Sequence, residues 1–132
     1  MSKIDKETAT AEFDRFKSSM RLRLDREGMD ENDRRDVKDD IEILINEIME
    51  GRLVIDDEGR PVYQPLEGEA LTFKRPKGGQ IAVIDKKKEA HKIAQLQAII
   101  GALCDRPASQ IAAMDWADID ICAIIVGLFF VR

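Results

Sequence analysis

At 132 residues, with 44% hydrophobic and 36% charged side chains and a formal net charge of −5, the chain has the length of one domain and the apolar content for one modest core. That balance excludes a disordered chain, and the longest apolar run, residues 121–131, falls short of the about 20 residues that a membrane helix needs. The charge is uneven: residues 1–50 hold 10 Lys/Arg against 15 Asp/Glu, whereas residues 51–132 hold 11 of each.

In residues 8–27, Phe13, Phe16, Met20 and Leu24 recur at steps of three and four, which is one stripe of a helix, and Gly28 is placed to end it. Asp30, with Asp33 three places on, offers an N-cap to a second helix. Its stripe is Val37, Ile41, Leu44, Ile45 and Ile48, and Gly51 supplies the stop. The two segments are expected to form a helical hairpin, with the alternating-sign run DENDRRDVKDD as a solvated face. After Gly51 the apolar period becomes two. RLVI and RPVYQ flank DDEG, so residues 52–64 read as a β-hairpin, and Pro61 and Pro65 predict that its second arm lies at a sheet edge. Leu71 and Phe73 alternate with Thr72 and Lys74 in a third short strand closed by Pro76. A two-stranded hairpin alone is marginal, so that strand or a covering helix is physically needed.

From Gly79 the chain reads as helical again, first in the short segment QIAVIDK and then over residues 89–103, where Ile93, Leu96, Ile100 and Leu103 form the stripe. Pro107 restarts the chain, Ile111 and Met114 mark a short turn, and Asp115 caps a last helix from Trp116. In that helix Ile121, Ile124, Ile125, Leu128 and Phe129 leave almost every side apolar, so it must be central or must face a partner. The expected fold is α+β and mainly helical: an acidic helical hairpin over residues 1–51, a β-hairpin plus third strand over 52–76, and a helical region over 77–132, as one compact domain with an N-terminal extension.

The chemistry-bearing residues do not assemble into a reactive site. Lys74-Arg75-Pro76-Lys77-Gly78-Gly79 lacks the spacing of a phosphate-binding loop, so the glycines read as a joint between strand and helix. His91 is the single histidine, and with Cys104 and Cys122 it matches no zinc spacing. Asp115, Asp118 and Asp120 lack the glycine and distal glutamate of a calcium loop and read as a cap and first-turn carboxylates. No nucleophile, base and acid can be matched, so neither catalysis nor a metal or cofactor is expected. The two cysteines sit among apolar residues and residues 1–10 are polar, which points to a reducing cytoplasm. Residues 74–92 carry seven basic side chains (Lys74, Arg75, Lys77, Lys86, Lys87, Lys88 and Lys92) against Asp85 and Glu89, the basis for an alternative reading as a small nucleic-acid-binding regulator. The overall acidity and the lack of aromatic rings among those lysines speak against it.

The order LTFKRPKGGQI, a helix, then IIGALCDRPASQIAAMDWADIDICAIIVGLFF resembles the tail assembly chaperones of contractile-tailed phages, such as Mu-like phages and their prophage relatives. Leu71, Phe73, Arg75 and Pro76 fill the strand part of the pattern. Leu103, Pro107, Ile111, Met114, Asp118 and Phe129-Phe130 fill the closing helical part, so the match spans residues 70–131. A helical hairpin precedes it where the family has a short leader. The resemblance implies a non-enzymatic protein of the host cytoplasm that binds the tape-measure protein during tail construction, in the neighbourhood of the tail tube protein, and keeps the tape-measure helix soluble. An apolar groove with a charged rim would serve that task. Trp116, Ile125, Phe129 and Phe130 are the expected contacts, with Lys86, Lys87, Lys88 and Lys92 as the rim. Consecutive Phe129 and Phe130 lie about 100° apart on a helix, so one ring is expected to stay available and to support a homo-oligomer before the client arrives.

Overall fold

The computed structural model describes residues 3–22, 24, 30–77 and 92–129. Among them the elements run α1 (Lys6–Ser19), α2 (Glu31–Met49), β1 (Leu53–Ile55), β2 (Pro61–Tyr63), β3 (Leu71–Thr72), α3 (Lys92–Cys104), α4 (Ala108–Ala112) and α5 (Trp116–Phe129). This is the mainly helical α+β fold that the periodicities predict.

Asp5 opens α1 by accepting from the Thr8 amide at 2.7 Å. The helix stops at Ser19, short of the expected residue 27. Arg21 takes the left-handed conformation (φ 55°), and its amide and that of Leu22 return to the Ser18 and Lys17 carbonyls at 3.3 and 3.1 Å. That is a Schellman closure built without glycine. Its cause is tertiary: Ser19 Oγ donates to the Glu58 carbonyl at 2.7 Å and Arg15 Nη2 to the Ile55 carbonyl at 2.8 Å, so the helix end is fastened to the β-hairpin. Met20 and Leu24 are buried as expected, although they lie beyond the helix. The predicted stop at Gly28 lies outside the described residues.

Both ends of α2 follow local chemistry. Asp30 accepts from the Asp33 amide at 2.8 Å, and Gly51 (φ 82°) closes the helix with amide bonds from Gly51 to Ile48 O and from Arg52 to Glu47 O, each 3.1 Å. A Schellman end usually brings an apolar pair together at these two positions. Here the pair is ionic, because Arg52 Nε donates to the buried Glu47 carboxylate at 2.6 Å. The Ile4 amide donates to Met49 O at 3.1 Å and Lys3 pairs with Glu50 at 3.2 Å, so α1 and α2 form the expected antiparallel hairpin.

The DDEG turn forms as read. Asp56 accepts from the amides of Glu58 and Arg60 at 2.9 and 2.8 Å and from Arg60 Nε at 2.9 Å, with Gly59 at φ 80°. β1 pairs antiparallel with β2 (Leu53 opposite Tyr63) and β2 with β3 (Tyr63 opposite Leu71), in the order β1-β2-β3. β2 is therefore the central strand, which corrects the edge position inferred from its prolines. Pro61 is tolerated there because it is the first residue of the strand and still accepts from the Phe73 amide at 2.9 Å; Pro65 lies beyond the strand.

One apolar cluster unites these elements. Phe13 and Phe16 of α1, Leu44 and Ile48 of α2, Leu53, Tyr63, Leu71 and Phe73 of the sheet region, and Ile100, Leu103, Ile111, Ile125 and Leu128 of the C-terminal helices all belong to it. The N-terminal hairpin thus shares the core of the C-terminal half. α5 packs against both α2 and α3, which explains its apolar residues on nearly every side. The α3–α4 connection is drawn tight: a Cβ on Gly101 would meet Arg106 O at 2.5 Å, and the Arg106 amide bonds Gly101 O at 2.8 Å. No described helix is long and apolar enough to cross a membrane.

Candidate functional site

Asp115 begins α5 by accepting from the Ala117 amide at 2.9 Å, as the sequence predicts for a cap. Asp118 is the first-turn carboxylate of α5 that the sequence predicts, and it has a further role. It turns inward, is only 7% exposed, and accepts from Tyr63 Oη at 2.7 Å and from the Leu66 amide at 2.9 Å. Burial, and next the hydrogen bond to Asp118, push the Tyr63 hydroxyl far above its ordinary pKa, so it stays a donor. The carboxylate therefore pins the loop of residues 64–70 across the start of α5.

That loop is held at further points. Gln64 Nε2 donates to the Pro65 and Gly68 carbonyls, both at 3.1 Å, and Arg106 Nη2 pairs with Glu69 at 2.8 Å. On one side a cleft of about 410 Å³ opens toward α4, floored by Leu71 and Met114 and bordered by Glu67, Glu69 and Asp115. On the other a cleft of about 610 Å³ runs past Tyr63 and Ile121 to Glu47, Arg52 and Asp120. Leu66 lines both and is 78% exposed, while Trp116, 66% exposed at the start of α5, follows Asp115 in the chain but lines neither cleft. Ile43 and Val54 are the other exposed large apolar residues described, and they border neither cleft.

Of the surface expected from the sequence, the described residues Trp116, Ile125 and Phe129 do not form one patch. Trp116 is exposed, but Ile125 has 0% exposure and belongs to the core, because α5 is enclosed by α2 and α3. Phe129 is half-buried, with its ring edge-on to Phe16 at 5.9 Å between centroids. Trp116 and Phe129 sit at opposite ends of α5, about 20 Å apart along its axis at 1.5 Å per residue. Phe130, Lys86, Lys87, Lys88, His91 and the Gly78-Gly79 joint lie outside the described residues, as does the side chain of Lys92. Of the basic run, Lys74 pairs with Asp105 and Arg75 Nε donates to Met20 O at 3.1 Å.

Leu66 and the Tyr63–Asp118 bond were not anticipated from the sequence. The signal for Leu66 was visible, a large apolar residue inside the turn-rich QPLEGEA, whereas an aspartate bonded to a tyrosine 55 positions away leaves no local pattern. Compared with known proteins, the chain matches no family model, no curated protein and no solved structure.

Proposed function

We propose that this protein is a non-enzymatic tail assembly chaperone of a phage or prophage, which binds the tape-measure protein while the tail is built. The observation that carries the reading is Leu66, exposed where it lines two clefts, with Trp116 exposed at the start of the adjoining α5; among the described residues Ile43 and Val54 are the other exposed large apolar side chains. Such a patch marks an interface. A rigidly pinned loop opposite a helix start offers a groove for an amphipathic helix. The motif resemblance over residues 70–131 supports the identity of the client. The alternative reading, nucleic-acid binding through residues 74–92, has less support, since Lys74 and Arg75 already hold protein partners.

The test is co-expression with the tape-measure protein of the same genome. The tape-measure protein is expected in the soluble fraction, co-purifying with this chain, and in the insoluble fraction without it. Equal recovery in both cases removes the chaperone reading, and retention on nucleic acid that falls steeply with salt replaces it with the alternative.

A further inference from the structure

The two clefts share Pro65, Leu66 and Asp115, so they form one surface bent around the 64–70 loop. Its ionisable residues are mostly acidic. Glu47 is bonded to Arg52, Glu69 to Arg106, and Asp118 to Tyr63 and Leu66. Glu67, Asp115 and Asp120 border the same surface, and none forms an ion pair with a described Lys or Arg. The negative field extends to α2: burial raises the Asp40 carboxyl above its ordinary value, and Asp36, Asp39 and Asp120 raise it further.

We infer that this surface receives an amphipathic helix with lysine or arginine beside its apolar stripe, the stripe covering Leu66 and the cations meeting Glu67, Asp115 and Asp120. The choice of occupant rests on charge complementarity. An apolar patch alone would take any greasy helix, whereas three carboxylates that pair with no described cation, beside an Arg52 already held by Glu47, favour a basic one and repel an acidic one. The inference builds on the proposed function, for it specifies the kind of client segment that is held.

Trp116 is the single tryptophan, exposed and flanked in the chain by Asp115 and Ala117 of the second cleft, so its emission serves as the binding signal. Two synthetic helices with the same leucine face, one with lysines and one with glutamates on the flanks, are titrated into the full-length protein. The lysine peptide is expected to bind about tenfold more tightly at low salt. That advantage should collapse near 1 M salt, where the screening length falls to about 3 Å. Leu66→Ser should weaken both peptides, and Glu67→Lys combined with Asp120→Lys should invert the preference. All three side chains are exposed, so circular dichroism and the melting temperature should stay at the parental values. Equal binding of the two peptides at low salt, or indifference to Leu66→Ser, overturns the inference. So does a dimer that Leu66→Ser dissociates while neither peptide binds, since a second copy is then the occupant. If the tape-measure protein binds but is insensitive to these substitutions, the surface is wrong and the function stands; if the lysine peptide binds here but the tape-measure protein does not, the function is wrong and the surface stands.

Discussion

Tyr63→Phe removes one oxygen and leaves the ring, so it isolates the bond by which β2 fixes the Asp118 carboxylate, whose other oxygen holds the loop at Leu66. Both partners are buried, Tyr63 at 2% and Asp118 at 7% exposure, and the bond is 2.7 Å long. A hydrogen bond to a carboxylate contributes roughly 1.5–3 kcal/mol, and water cannot readily replace it at this depth, so a loss of about 2 kcal/mol is expected. Asp118→Ala strands the Tyr63 hydroxyl as well as the Leu66 amide and should cost about 3 kcal/mol. Asp118→Asn should cost only about 1 kcal/mol, because its carbonyl can accept from Leu66 while its amide donates to the Tyr63 oxygen. Urea unfolding of the three single variants and of Tyr63→Phe/Asp118→Ala measures these costs. The double variant should be less destabilised than the sum of its parents by about 1–2 kcal/mol. Additive costs, or a Tyr63→Phe variant within about 0.5 kcal/mol of the parent, would refute the buried Tyr63–Asp118 bond.

Two glycines in left-handed backbone separate strain from crowding. At Gly59 a Cβ would meet Ser19 Oγ at 2.2 Å, whereas at Gly68 it would meet nothing within 4 Å. Gly68→Ala should therefore cost only about 1–2 kcal/mol, and Gly59→Ala clearly more in the same urea assay; equal costs would mean the hairpin tip is not seated on α1. Burial pushes the Cys104 thiol up to about 12, and burial with the neighbouring Cys104 and Asp118 raises Cys122 further. A disulfide reagent at about pH 8 should thus label either only as the protein unfolds, and rapid labelling of the native protein would contradict their burial. Although burial pushes the Asp56 carboxyl up, hydrogen bonds from Arg60 and Glu58 hold it below its ordinary 3.8. A depressed carboxyl contributes stability above 3.8 that is lost as pH falls through its lower folded value, so Asp56→Asn should flatten that acid limb. An unchanged slope would show that the turn does not depend on the charge.

Much of the fold was legible because its signals are local. Asp30 with Asp33, Gly51, the DDEG turn and Asp115 each act on backbone groups within five residues, and all four behave as their chemistry predicts. The errors came where distant residues decide. α1 ends early because Arg15 and Ser19 reach a hairpin some 40 positions on, and β2 is central because β3 pairs with the side that Pro61 seemed to forbid. The apolar surplus of α5 signalled a buried helix as much as a binding one, and for Ile125 burial is the outcome. Leu66 gave the opposite cue, an apolar side chain where a polar loop needs none, and it marks the candidate surface.

The most direct test of the binding surface is amide hydrogen exchange on the purified protein with and without its co-purified tape-measure segment. The surface described here predicts slowed exchange in residues 64–70 and 113–121, with the exposed face of α2 over residues 31–40 unchanged. Protection on that α2 face, with the 64–70 loop exchanging as in the free protein, would contradict it.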